Sequence, residues 1–535
     1  MAELPANPED KLTTTRLCAW MRVLVESLAL AGSAVRCLPQ RGDCHDQHFV
    51  RAVAVSRVVV LGAGVAGHTA ASFARRWLDR GDSVTVVSPK PDYNWVPSNI
   101  WVGVGLLKPE KVTFALAPVY ERAGIEFVQA AAREFHPEGD GEDRTPYVTA
   151  ESANGKRSKI PYDFLINATG PALRFDKTEG LGPDGGHSLS VCQPAHAAQT
   201  AAALDDEVER MRRGEKRRFL VGMGHGTCTC EGAAFEYIVN LEFELRHRGV
   251  RDRAELTWIT NEYELGDFGM GGMQLRGGGY VTPSSIYSAS LFAERRIDWI
   301  TRAHVSRVEP DRVLYETLDG LQGEQGFDFA MLLPPFSGVG LQAFDRGGAE
   351  ITERLFLPNG FMRVDADYSP RPYEQWKAAD WPRTYQSPEY RNVFAAGIAF
   401  APPHAISVPR KSPNGTVIAP APPRTGMPSA MIGKAVARSV VDMIAGADAP
   451  TRTASMAEMG AACIASAGAN PFKGTAVSMT VFPIVPDFER YPEHGRDPAG
   501  TFGEIGLAGH WIKIMLHHMF LYKARLRPGW RWIPE

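Results

Sequence analysis

The feature that most limits how this chain can fold lies at 57–87. Arg57–Leu61 reads as a short apolar strand running straight into Gly62, Gly64 and Gly67, spaced as G-x-G-x-x-G. A helix over about 66–78 follows, and Ser83–Val87 reads as a second parallel strand. A G-x-G-x-x-G match alone is weak. Between a strand and a helix, with a second strand beyond, it marks a dinucleotide-binding β-α-β unit. Gly62 allows the tight turn, Gly64 lets the backbone approach a pyrophosphate, and Gly67 permits close helix packing. The helix N-terminus then offers oriented N–H groups to the phosphates. The second strand ends at Val87-Ser88-Pro89, where an acid usually grips the ribose. Ser88 is the substitute expected here.

With 535 residues the chain has room for several cores, roughly three or four domains by length. Hydrophobic residues at 44% and charged residues at 22% are ordinary for a globular protein. A net charge of -3 gives no basic field, which argues against nucleic acid as a partner. Seven cysteines are too few for a disulfide scaffold of this size, and they lack paired C-x-x-C zinc spacing. No apolar run approaches the roughly 18 residues needed to span a bilayer. Residues 1–54 carry Cys18, Cys37 and Cys44 but no basic-then-apolar leader pattern, and are expected to be a disordered extension.

Two later strand-to-turn segments complete a flavoprotein pattern. One runs from Tyr162 to Ala168, Thr169 and Gly170; the other runs from Asn392 to Gly397. The second usually ends in Gly-Asp, but Ile398 follows Gly397 here, so a ribityl contact must come from the backbone. Between them, Gly222, Gly224 and Gly226 open a second, inserted Rossmann-like domain, with its next strand near 255–260. A nicotinamide site wants an intact fingerprint and an acid or arginine after that strand. Cys228 and Cys230 occupy the turn instead, and Thr260-Asn261 follows the strand. The domain shape is expected to survive without its NADH site.

If nicotinamide cannot bind, thiolates become candidate electron donors to the flavin. Cys230 begins a helix whose N-terminus lowers a thiol pKa, and Glu236 lies six residues on, able to move protons. The segment 410–424 is rich in proline and polar residues and reads as an ordered loop over a site or a linker. At the C-terminus, Ile512, Met515, Leu516, Met519, Phe520 and Tyr522 fall broadly on one side. Lys513, His517, Lys523, Arg525 and Arg527 supply basic groups, and Trp530 and Trp532 follow. That composition suits a helix lying in the headgroup region of a membrane, or equally one docked on its own domain or on a second copy in a homo-oligomer.

Several short motifs, in order, extend this reading. They are the loop from Asp92 through Asn94, Trp95, Pro97, Ser98 and Asn99 to Trp101; Cys192 with His196 four residues on; Cys230 with Glu236; the turn from Gly397 to Pro402-Pro403; and Cys463. From about residue 57 to its end, the chain resembles the sulfide:quinone oxidoreductases, a branch of the two-dinucleotide-domain flavoproteins. The resemblance implies FAD-dependent oxidation of sulfide to polysulfide or sulfur, with electrons passed to a membrane quinone. It implies that Cys230 and Cys463 form a sulfur-bridged pair on one flavin face, that sulfide opens the bridge, and that a thiolate–flavin adduct leads to reduction. Cys192 is the variable first cysteine, either holding flavin covalently or assisting with sulfur, and His196 is a candidate for proton transfer. Gly62, Gly64, Gly67, Ser88, Asn99, Thr169, Gly170, Gly397 and Arg424 are the expected cofactor contacts. No metal is expected.

Two positions depart from the family pattern. Asp267 stands where a histidine is common, and an anion there would repel hydrosulfide unless protonated or turned away. Pro423-Arg424-Thr-Gly426-Met427 replaces a Lys-Thr-Gly-Tyr segment, keeping a cation but losing an aromatic wall. The chain therefore reads as a divergent subgroup. Competing readings are a type-II NADH:quinone oxidoreductase, the flavoprotein subunit of a flavocytochrome c sulfide dehydrogenase (which needs a cysteine near Asn94-Trp95), and a non-enzymatic sulfur-sensing flavoprotein. The expected architecture is α/β: two Rossmann-like domains, the second inserted in the first, plus a membrane-associating helical region. The expected division is 1–54 extension, 55–175 and 346–445 FAD-binding domain, 176–345 second Rossmann-like domain, and 446–535 C-terminal region.

Overall fold

The computed structural model describes residues 55–423 and 426–535. The expected extension at 1–54 and the expected contact at Arg424 lie outside the described residues. The first fingerprint sits in a five-stranded parallel sheet ordered Val393–Ala395, Phe164–Asn167, Arg57–Leu61, Ser83–Val87, Glu126–Val128. Val58, Val60, Leu61, Leu165, Ile166, Val393 and Phe394 are completely buried, as strands covered on both faces require. The helix Val65–Trp77 leaves the glycine turn and packs against Gly426–Ile444. That contact is close enough that a Cβ on Gly433 would lie 2.4 Å from the Ala66 carbonyl oxygen.

A second parallel sheet is ordered Ile297–Ile300, Ala254–Ile259, Arg217–Met223, Phe329–Leu333. All four strands fall, in sequence, between Phe164–Asn167 and Val393–Ala395 of the first sheet. The second Rossmann-like unit is therefore inserted in the first. Its first strand feeds the helix Glu231–His247, whose N-cap is Cys230.

The C-terminal region contributes to a third sheet, ordered Tyr280–Pro283, Gln274–Gly277, Phe502–Gly506, Lys473–Val481, Ala461–Asn470. Its first two strands are a hairpin from the inserted domain, so the two regions are stitched together by backbone pairing. The strand Ala461–Asn470, which carries Cys463, packs on Glu231–His247. The C-terminal helix Leu507–Ala524 covers the strands Ala461–Asn470 and Lys473–Val481.

Candidate functional site

The cofactor cradle is built where the first sheet's strands end. Gly62 has φ +95°, and a Cβ there would fall 2.2 Å from the Ala168 carbonyl oxygen, so only glycine fits the turn. A Cβ on Gly67 would fall 2.0 Å from the Gly62 oxygen. Gly64, at the helix N-cap, instead faces open space, with nothing within 4 Å of a Cβ. The first-turn N–H groups of an α-helix have no intrahelical acceptor, which leaves them available to an anion at this end. This combination of a clash-forbidden turn and an open helix end fits the pyrophosphate of FAD.

Around the cradle, the Thr169 hydroxyl donates to Asn167 Oδ1 at 2.8 Å, and the Ser88 hydroxyl donates to the Lys90 carbonyl at 3.3 Å. Gly170 and Gly397 adopt φ +71° and +64°, and a Cβ on Gly397 would lie 2.7 Å from that of Ala66. Asn99 is fully buried. Its amide nitrogen donates to Asn94 Oδ1 at 3.1 Å and to the Val191 carbonyl at 3.2 Å, so it ties the cradle to the segment carrying Cys192.

Cys230 and Cys463 are 233 positions apart in sequence, yet the fold brings both to the start of one helix. Cys230 caps it with φ +70°, a left-handed conformation rare for a residue with a Cβ. Cys463 Sγ lies 3.0 Å from where a Cβ on Gly232 would sit, which makes glycine the residue that admits the sulfur. Burial and the nearby Glu236 carboxylate push the Cys463 thiol up to about 12, against a smaller opposing pull from Lys513. Glu236 is itself raised by burial, partly offset by Lys513, whose Nζ donates to Glu236 Oε2 at 2.9 Å. Glu236 Oε1 is buried without a partner.

Cys192 lies just before the helix Pro194–Arg212. Burial pushes its thiol up to about 11, and Ser190 and Lys90 pull the other way. His196, on that helix, is buried with Nε2 3.5 Å from Asp184 Oδ2 and Nδ1 unpartnered. Burial lowers its pKa. The same Lys90 acts on both groups, which places Cys192 and His196 in one corner. Cys228 is fully buried and its Sγ–H donates to the Leu333 carbonyl at 3.2 Å, the behaviour of a packing thiol.

The segment expected to be a loop or linker is a strap across the inserted domain's glycine turn. It forms a small hairpin, Arg410–Lys411 with Val417–Ile418. The Ala419 N–H donates to the Gly226 carbonyl at 2.8 Å and the Ala421 N–H to the Cys228 carbonyl at 3.0 Å. The Thr229 hydroxyl donates to the Ala421 carbonyl at 3.1 Å, and the Val417 carbonyl oxygen would lie 2.6 Å from a Cβ on Gly226. Peptide groups of the chain itself therefore lie along the turn that would otherwise face a dinucleotide's phosphates. Asp267 is buried rather than facing incoming anions. Its Oδ1 accepts the Ser407 hydroxyl at 2.7 Å and the Gly271 N–H at 2.9 Å, and burial raises its pKa.

Of the two arrangements open to the C-terminal helix from its sequence, the basic groups Lys513, His517 and Lys523 follow the docked one. Lys513 pairs inward with Glu236, His517 Nδ1 lies 2.8 Å from Ser98 Oγ, and Lys523 is buried against Glu535 at 2.6 Å. The exposed side carries Leu507, Trp511, Met515 and Tyr522 instead. The groups that sequence reasoning missed are Lys513 as the partner of Glu236, Lys90 beside Cys192, and the acids Glu231 and Glu262. A signal for Glu231 was present: an acid set in an otherwise apolar helix start.

No family model matches the chain. The sulfide-quinone reductase of Aquifex aeolicus (strain VF5) is 30% identical over 470 residues, covering 88% of this chain and 91% of that protein. The crystal structure of the sulfide:quinone oxidoreductase from Aquifex aeolicus superposes with TM-score 0.66 at 28% identity, over 88% of this chain and 92% of that one. An NDH2 from Plasmodium falciparum, solved in complex with NADH, matches with TM-score 0.55 at 13% identity, over 88% and 96%. That second likeness concerns the fold alone. On the sequence identity and its coverage, the chain belongs to the sulfide:quinone oxidoreductase family, built on two dinucleotide-binding domains.

Proposed function

We propose that this protein is an FAD-dependent enzyme that oxidises sulfide to polysulfide or sulfur and passes the electrons to a quinone. The observation that carries this reading is the seating of Cys463 against the helix capped by Cys230, beside Glu236 and Lys513. Bound FAD would supply a two-electron acceptor that quinone can reoxidise. Cys230 and Cys463 hold the sulfur, as a bridge that incoming hydrosulfide opens. When the bridge opens, burial favours proton uptake by the released Cys463 sulfur, and Glu236, whose Oε1 is unsatisfied beside it, is the group placed to give that proton and take it back. Lys513 steadies the carboxylate when it is charged. Cys192, with Lys90 and His196 in the same corner, is the candidate for handling further sulfur or tethering the flavin.

Among the described residues no helix is long and apolar enough to cross a membrane. Our reading is peripheral attachment through one apolar patch. Trp511 donates its indole N–H to the Pro471 carbonyl at 2.7 Å, next to Phe472, which is 89% exposed. Ile505 and Leu507 continue the patch, and the register of Arg276 with Phe502 brings the hairpin tip with exposed Tyr280 and Val281 alongside. Aromatic and aliphatic groups at one end of a sheet suit the bilayer interface, where quinone is found.

One anaerobic experiment tests the enzymatic reading. Holoenzyme is mixed with sulfide, and separately with NADH, while flavin absorbance is followed; a short-chain quinone is then added. Bleaching by sulfide and recovery with quinone is the expected result. Bleaching by NADH alone would replace this reading with the type-II NADH one.

A further inference from the structure

The strap across the inserted domain's glycine turn is gripped by one acid that lies outside it. Glu316 sits on the strand Arg312–Thr317 with its side chain buried. Its Oε1 accepts the Ser412 hydroxyl and, at 3.3 Å, the Asn414 amide. Its Oε2 accepts the Thr416 hydroxyl at 2.8 Å and the Gln322 amide at 3.1 Å. An ionised carboxylate offers about four lone-pair positions, and here a donor meets each of them. All but Gln322 belong to one short stretch of the strap, 412–416. The Ser412 hydroxyl, followed by the other donors, holds the Glu316 carboxyl below its ordinary range, so the bonds are charge-assisted at neutral pH.

The same rung of this sheet holds the cysteine turn. Glu316 pairs across the sheet with Gln322 on one side and His304 on the other. His304 Nδ1 accepts the Gly226 N–H at 3.0 Å. Cross-strand neighbours share a face, so His304 grips the turn while Glu316 grips the strap that lies along it. The strap then closes on the residue before Cys230. Thr229 forms a parallel bridge with Ala421, and its hydroxyl lies 3.1 Å from the Ala421 carbonyl and 3.2 Å from that of Pro422, sharing its proton between them. Cys230 follows at φ +70°. A residue with a Cβ keeps that conformation only where its surroundings over-determine it. In sequence the strap runs from the Gly397 turn to the helix Gly426–Ile444, and both of these pack against Ala66 of the fingerprint helix. The strap therefore links the flavin cradle to the turn that carries the reactive cysteine.

Building on the sulfide-oxidising reading above, we propose that Glu316, with His304 on the same rung, is a positioning residue for sulfide oxidation. The carboxylate acts through the strap and the imidazole through Gly226, and together they fix the turn 226–229 and with it the Cys230 sulfur. Neither side chain makes or breaks a bond in the reaction. Sulfur transfer to the flavin needs reacting atoms within about 3.5 Å of each other, and a misplacement of about 1 Å can cost roughly a hundredfold in rate. A strap released from Glu316 lets the turn relax from the left-handed geometry at Cys230. The loss then falls on the chemical step and leaves the binding of hydrosulfide unchanged.

The test is anaerobic stopped-flow bleaching of the holoenzyme by sulfide, with the limiting rate and the half-saturating sulfide concentration measured separately. Glu316→Ala and the double variant Ser412→Ala/Thr416→Ala cut the same ties from opposite ends. Each is expected to lower the limiting rate about tenfold or more, with half-saturation within about twofold of wild type. Combining all three substitutions is expected to add little to either loss, because both act on one set of hydrogen bonds. Gln322→Ala takes a donor from the same carboxylate without touching the strap, and is expected to keep the wild-type limiting rate. Melting temperatures identify a variant that has lost its fold; if that is Glu316→Ala, the strap variant decides. Wild-type limiting rates in the folded Glu316 or strap variants, additive losses on combining them, or an equal loss in Gln322→Ala would overturn the positioning role. Failure of sulfide to bleach wild type would instead overturn the reading beneath it.

Discussion

Cys228 and Cys230 are two positions apart, yet their surroundings give them different chemistry. Cys228 is fully buried and hydrogen-bonded to a strand carbonyl, whereas Cys230 caps a helix in a left-handed conformation beside Cys463. Cys228→Ala should therefore keep sulfide-dependent turnover within about twofold and cost roughly 1 kcal/mol in unfolding experiments. Cys463→Ser should lower the same turnover by about a thousandfold or more. The buried acids give a second prediction at this scale. Glu262 is raised from 4.5 to about 7 in the fold, so between those values the native state binds more protons than the unfolded chain. Stability should then fall as pH rises from about 4.5 through 7, and urea titrations at several pH values should show Glu262→Gln relieving part of that fall. The sequence placed Cys230, Cys463 and Glu236 as candidates because each lies in a short recognisable motif. It gave no hint that Glu262 would share a buried site with Glu231, because the 260–268 loop has no regular periodicity to read.

A helix near the C-terminus was legible from apolar spacing, but its rotation was not. Lys513, His517 and Lys523 were compatible with lipid headgroups or with docking on the chain's own domain, and each turns inward to a partner. Helical periodicity marks two faces without saying which one the rest of the protein will cover. Lys513→Met leaves Glu236 buried without its cation. It should cost about 3 kcal/mol by thermal or denaturant unfolding and raise the proton affinity of Glu236, visible as a displaced pH profile for sulfide bleaching. On the outer face, Trp511→Glu combined with Met515→Glu should weaken vesicle binding about tenfold or more in sedimentation assays and leave soluble-quinone turnover largely intact. Unchanged vesicle binding would move the attachment site elsewhere.

Across the whole molecule, the strap decides what the inserted domain can bind. Its peptide groups are hydrogen-bonded along the glycine turn from Gly226 to Thr229, so a nicotinamide dinucleotide would have to displace backbone rather than water. Millimolar NADH should produce neither flavin bleaching nor a shift in melting temperature. Chain order, the first glycine turn and the insertion of one Rossmann unit in another were all readable, because they depend on local periodicity and on where glycine alone is tolerated. The third sheet was not readable as a whole: its two local parts join through the pairing of Arg276 with Phe502, more than 200 positions apart, and the sequence of either partner is compatible with other neighbours. The same holds for the ion pair between Glu236 and Lys513, 277 positions apart. By itself, then, the sequence determined a dinucleotide-binding α/β frame with sulfur-bearing motifs, since strand, turn and helix preferences act over a few residues. Only the tertiary structure decided which cysteines come to one helix start, which charges are neutralised and which cleft is filled, because those outcomes follow from burial and long-range contact.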